Sequence, residues 1–249
     1  MKIRQSRVPR LYVDAELSPQ VSLALPESAA HHAAHVLRLR EGESIALFNG
    51  LGGEYAARIA KIGKRGVEVE IGEHAALERE SPLAVTLVQA VSSGEKMDFT
   101  IQKAVELGVA AIQPLLTAKS VVRLSAEREE KKLAHWRRVV IAACEQCGRN
   151  RVPAVREALS VGTYCGAPAD ASLRLLLSPE GKTGLRDMQQ QLGHIVTIAA
   201  GPEAGFNDEE EQMLARAGFV PVRLGHRILR TETAALAALA ALNALAGDF

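Results

Sequence analysis

Apolar and polar positions alternate with a period of two through residues 44–72. Ile45 and Leu47 set the pattern, Tyr55, Ala57 and Ile59 repeat it, and Val67, Val69 and Ile71 repeat it again. Gly50, Gly52 and Gly53 turn the chain after the first run, and Gly63 and Gly66 turn it before the third. Short strands joined by glycine turns predict a small barrel or sandwich. The acidic stretch 73–81, closed by Pro82, reads as a linker and puts a boundary near residue 75, giving domains 1–74 and 75–249.

Beyond the boundary the period changes. Residues 83–91 form an almost continuous apolar run, and Met97, Ile101, Ala104, Val105 and Gly108 fall on one helical face. Further strands are expected at 110–116, 173–177, 195–200 and 219–224. Helices are expected from Ser125 as N-cap to about Cys147, at 185–192, at 207–217 with Asn207 as cap, and at 231–246. Apolar strands alternating with helices specify an α/β domain with a mostly parallel sheet. Ligands of such sheets bind in loops beyond the strands' carboxyl ends, which here are 178–183, 201–206 and 225–230.

Composition narrows the class. The 249 residues are 47% hydrophobic and 24% charged, with a net charge of +1, as in an ordinary globular protein. Cys144, Cys147 and Cys165 are too few for a disulfide scaffold, the opening residues have no apolar signal core, and the alanine-rich run 234–246 is too short to cross a bilayer. These features predict a soluble cytoplasmic protein with no membrane partner.

Several motifs lose their sharper reading on inspection. Gly181-Lys182-Thr183 ends like a phosphate loop, but the required earlier glycine is Leu176. Cys144-x-x-Cys147 lies on a continuing helix without further ligands, and His31 and His35 lack a third partner, so no metal is expected. The lone Trp136 reads as core. In Gly201-Pro202-Glu203-Ala204-Gly205-Phe206 the glycines allow close backbone approach, while Pro202 and Glu203 disfavour a phosphate and suit a cationic or neutral ligand. Glu145, Gln146, Arg149, Asn150 and Arg151 gather at a helix end with no evident packing demand, the residue types that meet phosphates and base edges.

Four ordered motifs together resemble the RsmE family. They are Lys96-x-Asp98-x-x-x-Gln102-Lys103-x-x-Glu106-Leu107-Gly108, Ala142 through Pro153, Gly201-Pro202-Glu203-x-Gly205-Phe206, and Leu224-Gly225-x-Arg227-Ile228-Leu229-Arg230-Thr231-Glu232-Thr233-Ala234. His32-x-x-x-Val36-Leu37-Arg38 and the basic Arg7-x-Pro9-Arg10 are similar to the family's amino-terminal domain, so the resemblance spans essentially the whole chain. It implies a SPOUT-type, trefoil-knotted α/β methyltransferase domain preceded by a small PUA-like β-barrel. It also implies S-adenosyl-L-methionine as cofactor, methylation of N3 of a uridine in 16S ribosomal RNA, the assembled small ribosomal subunit as context, and a homodimer.

By that resemblance the cofactor lies among Leu177, Pro179, Ala200, Gly201, Pro202, Glu203, Gly205, Leu224, Gly225, Ile228 and Leu229. One departure stands at Ala204, where the family usually has a second glycine; the added methyl is harmless if that residue has a negative φ. The chemistry needs a flipped base, a proton acceptor and donors for the uracil anion. Candidates are Arg230, Glu232 and Glu145, with RNA contacts at Arg7, Arg10, Arg38, Arg149, Asn150 and Arg151. The competing expectations are a non-catalytic rRNA-binding protein, or a SPOUT enzyme acting on a ribose hydroxyl or on tRNA. The near-neutral total conceals an asymmetry: residues 1–10 hold four bases and no acid, residues 119–156 hold ten bases against four acids, and the remainder carries −9.

Overall fold

The computed structural model describes residues 8–64, 66–119, 126–168 and 172–249. Arg7 and Ser125 lie outside them. The chain forms two compact units, Met1–Glu80 with Cys144–Val152, and Ser81–Ala143 with Pro153–Phe249. The expected division at residue 75 falls a few residues short of this one and omits the short segment that returns to the first unit.

In the first unit β1 (Arg10–Tyr12), β2 (Ser22–Ala24), β3 (Ser44–Phe48), β4 (Glu54–Gly63) and β5 (Gly66–Ala75) make one sheet in the order β1-β3-β4-β5-β2. The period-two pattern is realised directly, since Ala57 and Ile59 of β4 and Val67, Val69 and Ile71 of β5 are buried while their neighbours face out. Between β2 and β3 runs α1 (Glu27–His31), prolonged by a π-turn over His32–Val36. His31 and His35 are exposed, with ring centroids 4.9 Å apart.

The second unit is a parallel sheet. Its strands are β6 (Ala84–Ala90), β7 (Ala111–Leu116), β8 (Ala154–Val155), β9 (Leu159–Ser160), β10 (Leu173–Leu177), β11 (Thr183–Gly184), β12 (Ile195–Ala200) and β13 (Val220–Arg223). They run in the order β11-β13-β10-β12-β6-β7-β8, with β9 also beside β7, and every pairing is parallel. The helices are α2 (Gly94–Glu106), α3 (Ala126–Cys147, whose last turn belongs to the first unit), α4 (Val161–Gly166), α5 (Asp208–Arg216) and α6 (Thr231–Ala246). Residues 185–191, expected as an α-helix, form a 3-10 helix. Its buried residues, Leu185 and Met188, stand three apart, the spacing that a three-residue turn superimposes.

α6 packs against α2, β6 and β12. It buries Ala235, Ala238, Leu239 and Leu242, and leaves Leu236 and Leu245 half-buried. Asn243, which interrupts the apolar run, is also buried: its Nδ2 donates to Leu107 O at 2.8 Å and its Oδ1 accepts from Ser81 Oγ at 2.6 Å. A buried amide stays only where partners satisfy it, so Asn243 fixes the helix against the carboxyl end of α2.

Candidate functional site

The registry of the sheet decides where its loops meet. Leu177 of β10 pairs with Ala200 of β12 on one side and with Val222 of β13 on the other, all parallel. Three strands therefore end together, and the loops that follow them leave from one edge. Gly181 lets the first loop turn back tightly, since a Cβ there would stand 2.7 Å from the Val222 carbonyl carbon.

Between the three loops lies a cavity of about 400 Å³, within the range typical of small-molecule sites. All eleven residues expected to hold the cofactor line it: Leu177, Pro179, Ala200, Gly201, Pro202, Glu203, Gly205, Leu224, Gly225, Ile228 and Leu229. Most of this wall is apolar side chain and glycine backbone. Glu203, one of two glutamates on the wall, is bound by Lys96 Nζ at 2.8 Å, a hydrogen bond that holds the carboxyl below its usual value. Arg227 and Arg230 also line the cavity, on the side of the 224–230 loop.

Ala204 does not have the left-handed backbone that would strain it. Gly205 takes that role with φ +69°, and its N–H donates to Pro202 O at 2.9 Å. The extra methyl is therefore accommodated by the turn.

Beneath the loops runs a buried polar chain. Gln89, near the end of β6, donates through Nε2 to Thr231 Oγ1 at 3.2 Å, and that hydroxyl donates to Gly201 O. Neither Gln89 nor Thr231 was among the expected site residues. A signal for Gln89 was present, because a lone glutamine in a mostly apolar strand needs a partner when buried.

The catalytic candidates separate. Arg230 lines the cavity as the N-cap residue of α6. Glu232 follows the cavity-lining Thr231, and its Oε2 is buried with no hydrogen-bond partner among the described residues. Glu145 belongs to the first unit, where Oε1 accepts the Tyr12 N–H at 3.0 Å and Oε2 stands 3.9 Å from His32 Nδ1; burial raises its pKa.

The expected RNA contacts divide in the same way. Arg38 is exposed and holds a left-handed φ of +54°, and Arg151 is exposed with Glu78 at 3.6 Å. Arg10, Arg149 and Asn150, by contrast, are structural. Arg149 is 4% exposed and clamps Glu80 with Nε and Nη2, while Asn150 is fully buried and donates to Leu77 O. Arg10 binds Glu54, Arg149 O at 3.1 Å and Asn150 Oδ1 at 2.6 Å, and lies over the Phe48 ring. Burial would raise Glu54, but Arg10 and Arg79 outweigh it and lower its pKa. The structure gives these three residues packing roles, and the demand that the sequence did not show is the return of Cys144–Val152 into the first unit.

Cys144 shares that interior. Its thiol lies 3.8 Å from Arg151 O, and burial pushes its pKa up to about 12. A thiol so far from ionisation is a packing residue. Trp136 is 4% exposed and also belongs to a core. Among the described residues no group of three His, Cys, Asp or Glu side chains stands where it could hold a metal, and no helix is long and apolar enough to cross a membrane.

Comparison with known proteins places these features in a class. Residues 79–243 match the RNA methyltransferase domain, and residues 25–72 match the RNA methyltransferase PUA domain. The fold and site are thus those of an α/β RNA methyltransferase domain with an accompanying PUA domain. More particularly, the chain belongs to the ribosomal RNA small subunit methyltransferase E family. It is 32% identical to the member from Buchnera aphidicola subsp. Acyrthosiphon pisum, over 99% of this chain and 97% of that one. It is 31% identical to the Bacillus subtilis member over 92% and 91% of the two chains. Among solved structures, the methyltransferase E of Neisseria gonorrhoeae bound to S-adenosyl methionine is 42% identical, with a TM-score of 0.90 over 98% of this chain and 100% of that one. A methyltransferase of Legionella pneumophila in complex with SAM is 41% identical, with a TM-score of 0.93 over the same shares.

Proposed function

We propose that this protein methylates N3 of a uridine in the 16S ribosomal RNA of the small ribosomal subunit, with S-adenosyl-L-methionine as cofactor. The observation that carries the reading is the meeting of three sequence-distant loops, with all eleven expected residues, around one cavity of about 400 Å³. The family of rRNA methyltransferases to which the chain belongs, and relatives solved with that cofactor, support it. The bound cofactor supplies an electrophilic methyl group on a sulfonium.

The chain's own residues do the rest. Leu177, Pro179, Ile228 and Leu229 provide apolar wall, and the Gly201, Gly205 and Gly225 backbone allows close approach. Thr231 fixes the Gly201 carbonyl. Arg230, on the cavity wall, stabilises negative charge on the uracil carbonyls, and Glu232 takes the N3 proton. Glu145 has one carboxylate oxygen already taken by the Tyr12 N–H, whereas one Glu232 oxygen has no partner among the described residues.

The finer architecture follows from the same reading. The domain matching residues 79–243 closes in a trefoil knot, with α6 drawn back against β12 and β6 after the loop 224–230. The first unit is a PUA-like β-barrel that holds RNA, and the enzyme works as a cytoplasmic homodimer without metal. Incubating the protein with unmodified small subunits and methyl-labelled cofactor tests the proposal. Label on N3 of a 16S uridine is expected; label on a ribose oxygen or in tRNA would assign a different SPOUT activity, and no cofactor binding by calorimetry would leave an RNA-binding protein.

A further inference from the structure

The cavity loop 201–206 is held from both ends by lysines that come from different elements. Lys96 of α2 binds Glu203 at its start. At its far end Lys119, three residues after β7, places Nζ 3.1 Å from Ala204 O and 3.2 Å from Phe206 O. These carbonyls flank Gly205, whose left-handed φ of +69° breaks the regular alternation of carbonyl directions and lets both face one cation.

The lysine is itself anchored. The adjacent Ala118 N–H donates to Glu210 Oε1 at 2.7 Å, and Glu210 Oε2 accepts the Asn207 N–H at 3.0 Å, so one buried carboxylate joins the segment after β7 to the N-cap of α5. That N-cap residue directly follows Phe206. The ammonium, the turn and the carboxylate therefore close a ring of contacts around the loop. A neutral carbonyl pair is an unusual choice for an exposed lysine unless the geometry of the carbonyls is what matters.

We propose that Lys119 is a positioning residue for the cofactor loop. By gathering the carbonyls on either side of Gly205 it sets the curvature of residues 201–206, and through that curvature the cofactor affinity. The role rests on the methyltransferase reading above, and it gives the first base of the 119–156 segment a place at the cofactor site.

Calorimetry with S-adenosyl-L-methionine and steady-state kinetics on Lys119→Met and Lys119→Arg test it. Lys119→Met should raise both the cofactor Kd and its KM by about fivefold to tenfold, leave kcat at saturating cofactor within about twofold, and leave the melting temperature unchanged. Lys119→Arg, which keeps a cation within reach of the carbonyls, should recover most of the affinity. Gly205→Ala combined with Lys119→Met should cost less than the sum of the two single changes, since both act on one turn. Unaltered cofactor affinity in Lys119→Met, or loss of kcat and KM together that arginine does not rescue, overturns the assignment. A wild-type protein that binds no cofactor sinks the methyltransferase reading and the positioning role with it, and is distinguished by the wild-type titration alone.

Discussion

Glu145 and Glu232 stand level in the sequence as proton acceptors, and their surroundings separate them. Glu145 has one oxygen held by the Tyr12 N–H, with His32 beside the other. Glu232 keeps one buried oxygen without a partner among the described residues, next to a residue of the cavity wall. An unpartnered buried acceptor costs stability and persists where a substrate proton repays it. Glu232→Gln should therefore lower kcat by about a hundredfold or more, the usual size of a general-base contribution, while cofactor Kd by calorimetry stays near the wild-type value. Glu145→Gln, which preserves an oxygen for the Tyr12 N–H, should change kcat only about twofold or less. The reverse order of effects in the two variants would return the role to Glu145. Identity of residue type was legible from the sequence in both cases, and the choice between them was not, because it depends on partners 133 and 142 residues away for Tyr12 and for the Gln89–Thr231 contact.

At the scale of elements, periodic runs were legible and short pieces were not. β10, β12 and α6 have the bounds that their apolar patterns predict. The two-residue strands β8, β9 and β11 carry no period to read; their places come from long-range bonds such as Gln113 Nε2 to Glu157 O at 2.7 Å. α5 shows the opposite case, a boundary written locally. Asn207 accepts the Glu210 N–H at 2.8 Å while the Glu210 carboxylate accepts the Asn207 N–H, a complete capping box. Asn207→Ala should destabilise the protein by about 1 kcal/mol, read as a lower denaturant midpoint with unchanged slope. Because the same Glu210 also holds Ala118, Glu210→Ala should cost more than Asn207→Ala. Equal costs would mean that the cap alone, and not the link to the segment after β7, matters to the fold.

At the scale of the whole molecule, the basic residues counted in the sequence are not one population. Arg10 and Arg149 are consumed by Glu54 and Glu80 in the interior of the first unit, and Lys119 by carbonyls of the cavity loop. Arg137 and Arg138 of α3 are exposed, as is Arg38. Counting the bases of a segment could not distinguish these, since a base counts once whether it is paired in an interior or solvated. The two kinds should respond differently to salt. Replacing Arg137 and Arg138 together by glutamine should weaken binding to small-subunit RNA and reduce the slope of log K against log salt by about 0.7 to 0.9 for each phosphate that is no longer neutralised, with the melting temperature unchanged. Arg149→Met strands the Glu80 carboxylate, which still reaches water at a quarter of its side-chain surface. It should therefore cost about 2 to 4 kcal/mol of stability and leave the salt slope of the folded protein as it was. A slope that falls in Arg149→Met and persists in the double variant would place RNA on the first unit's interior clasp and displace it from the exposed face of α3.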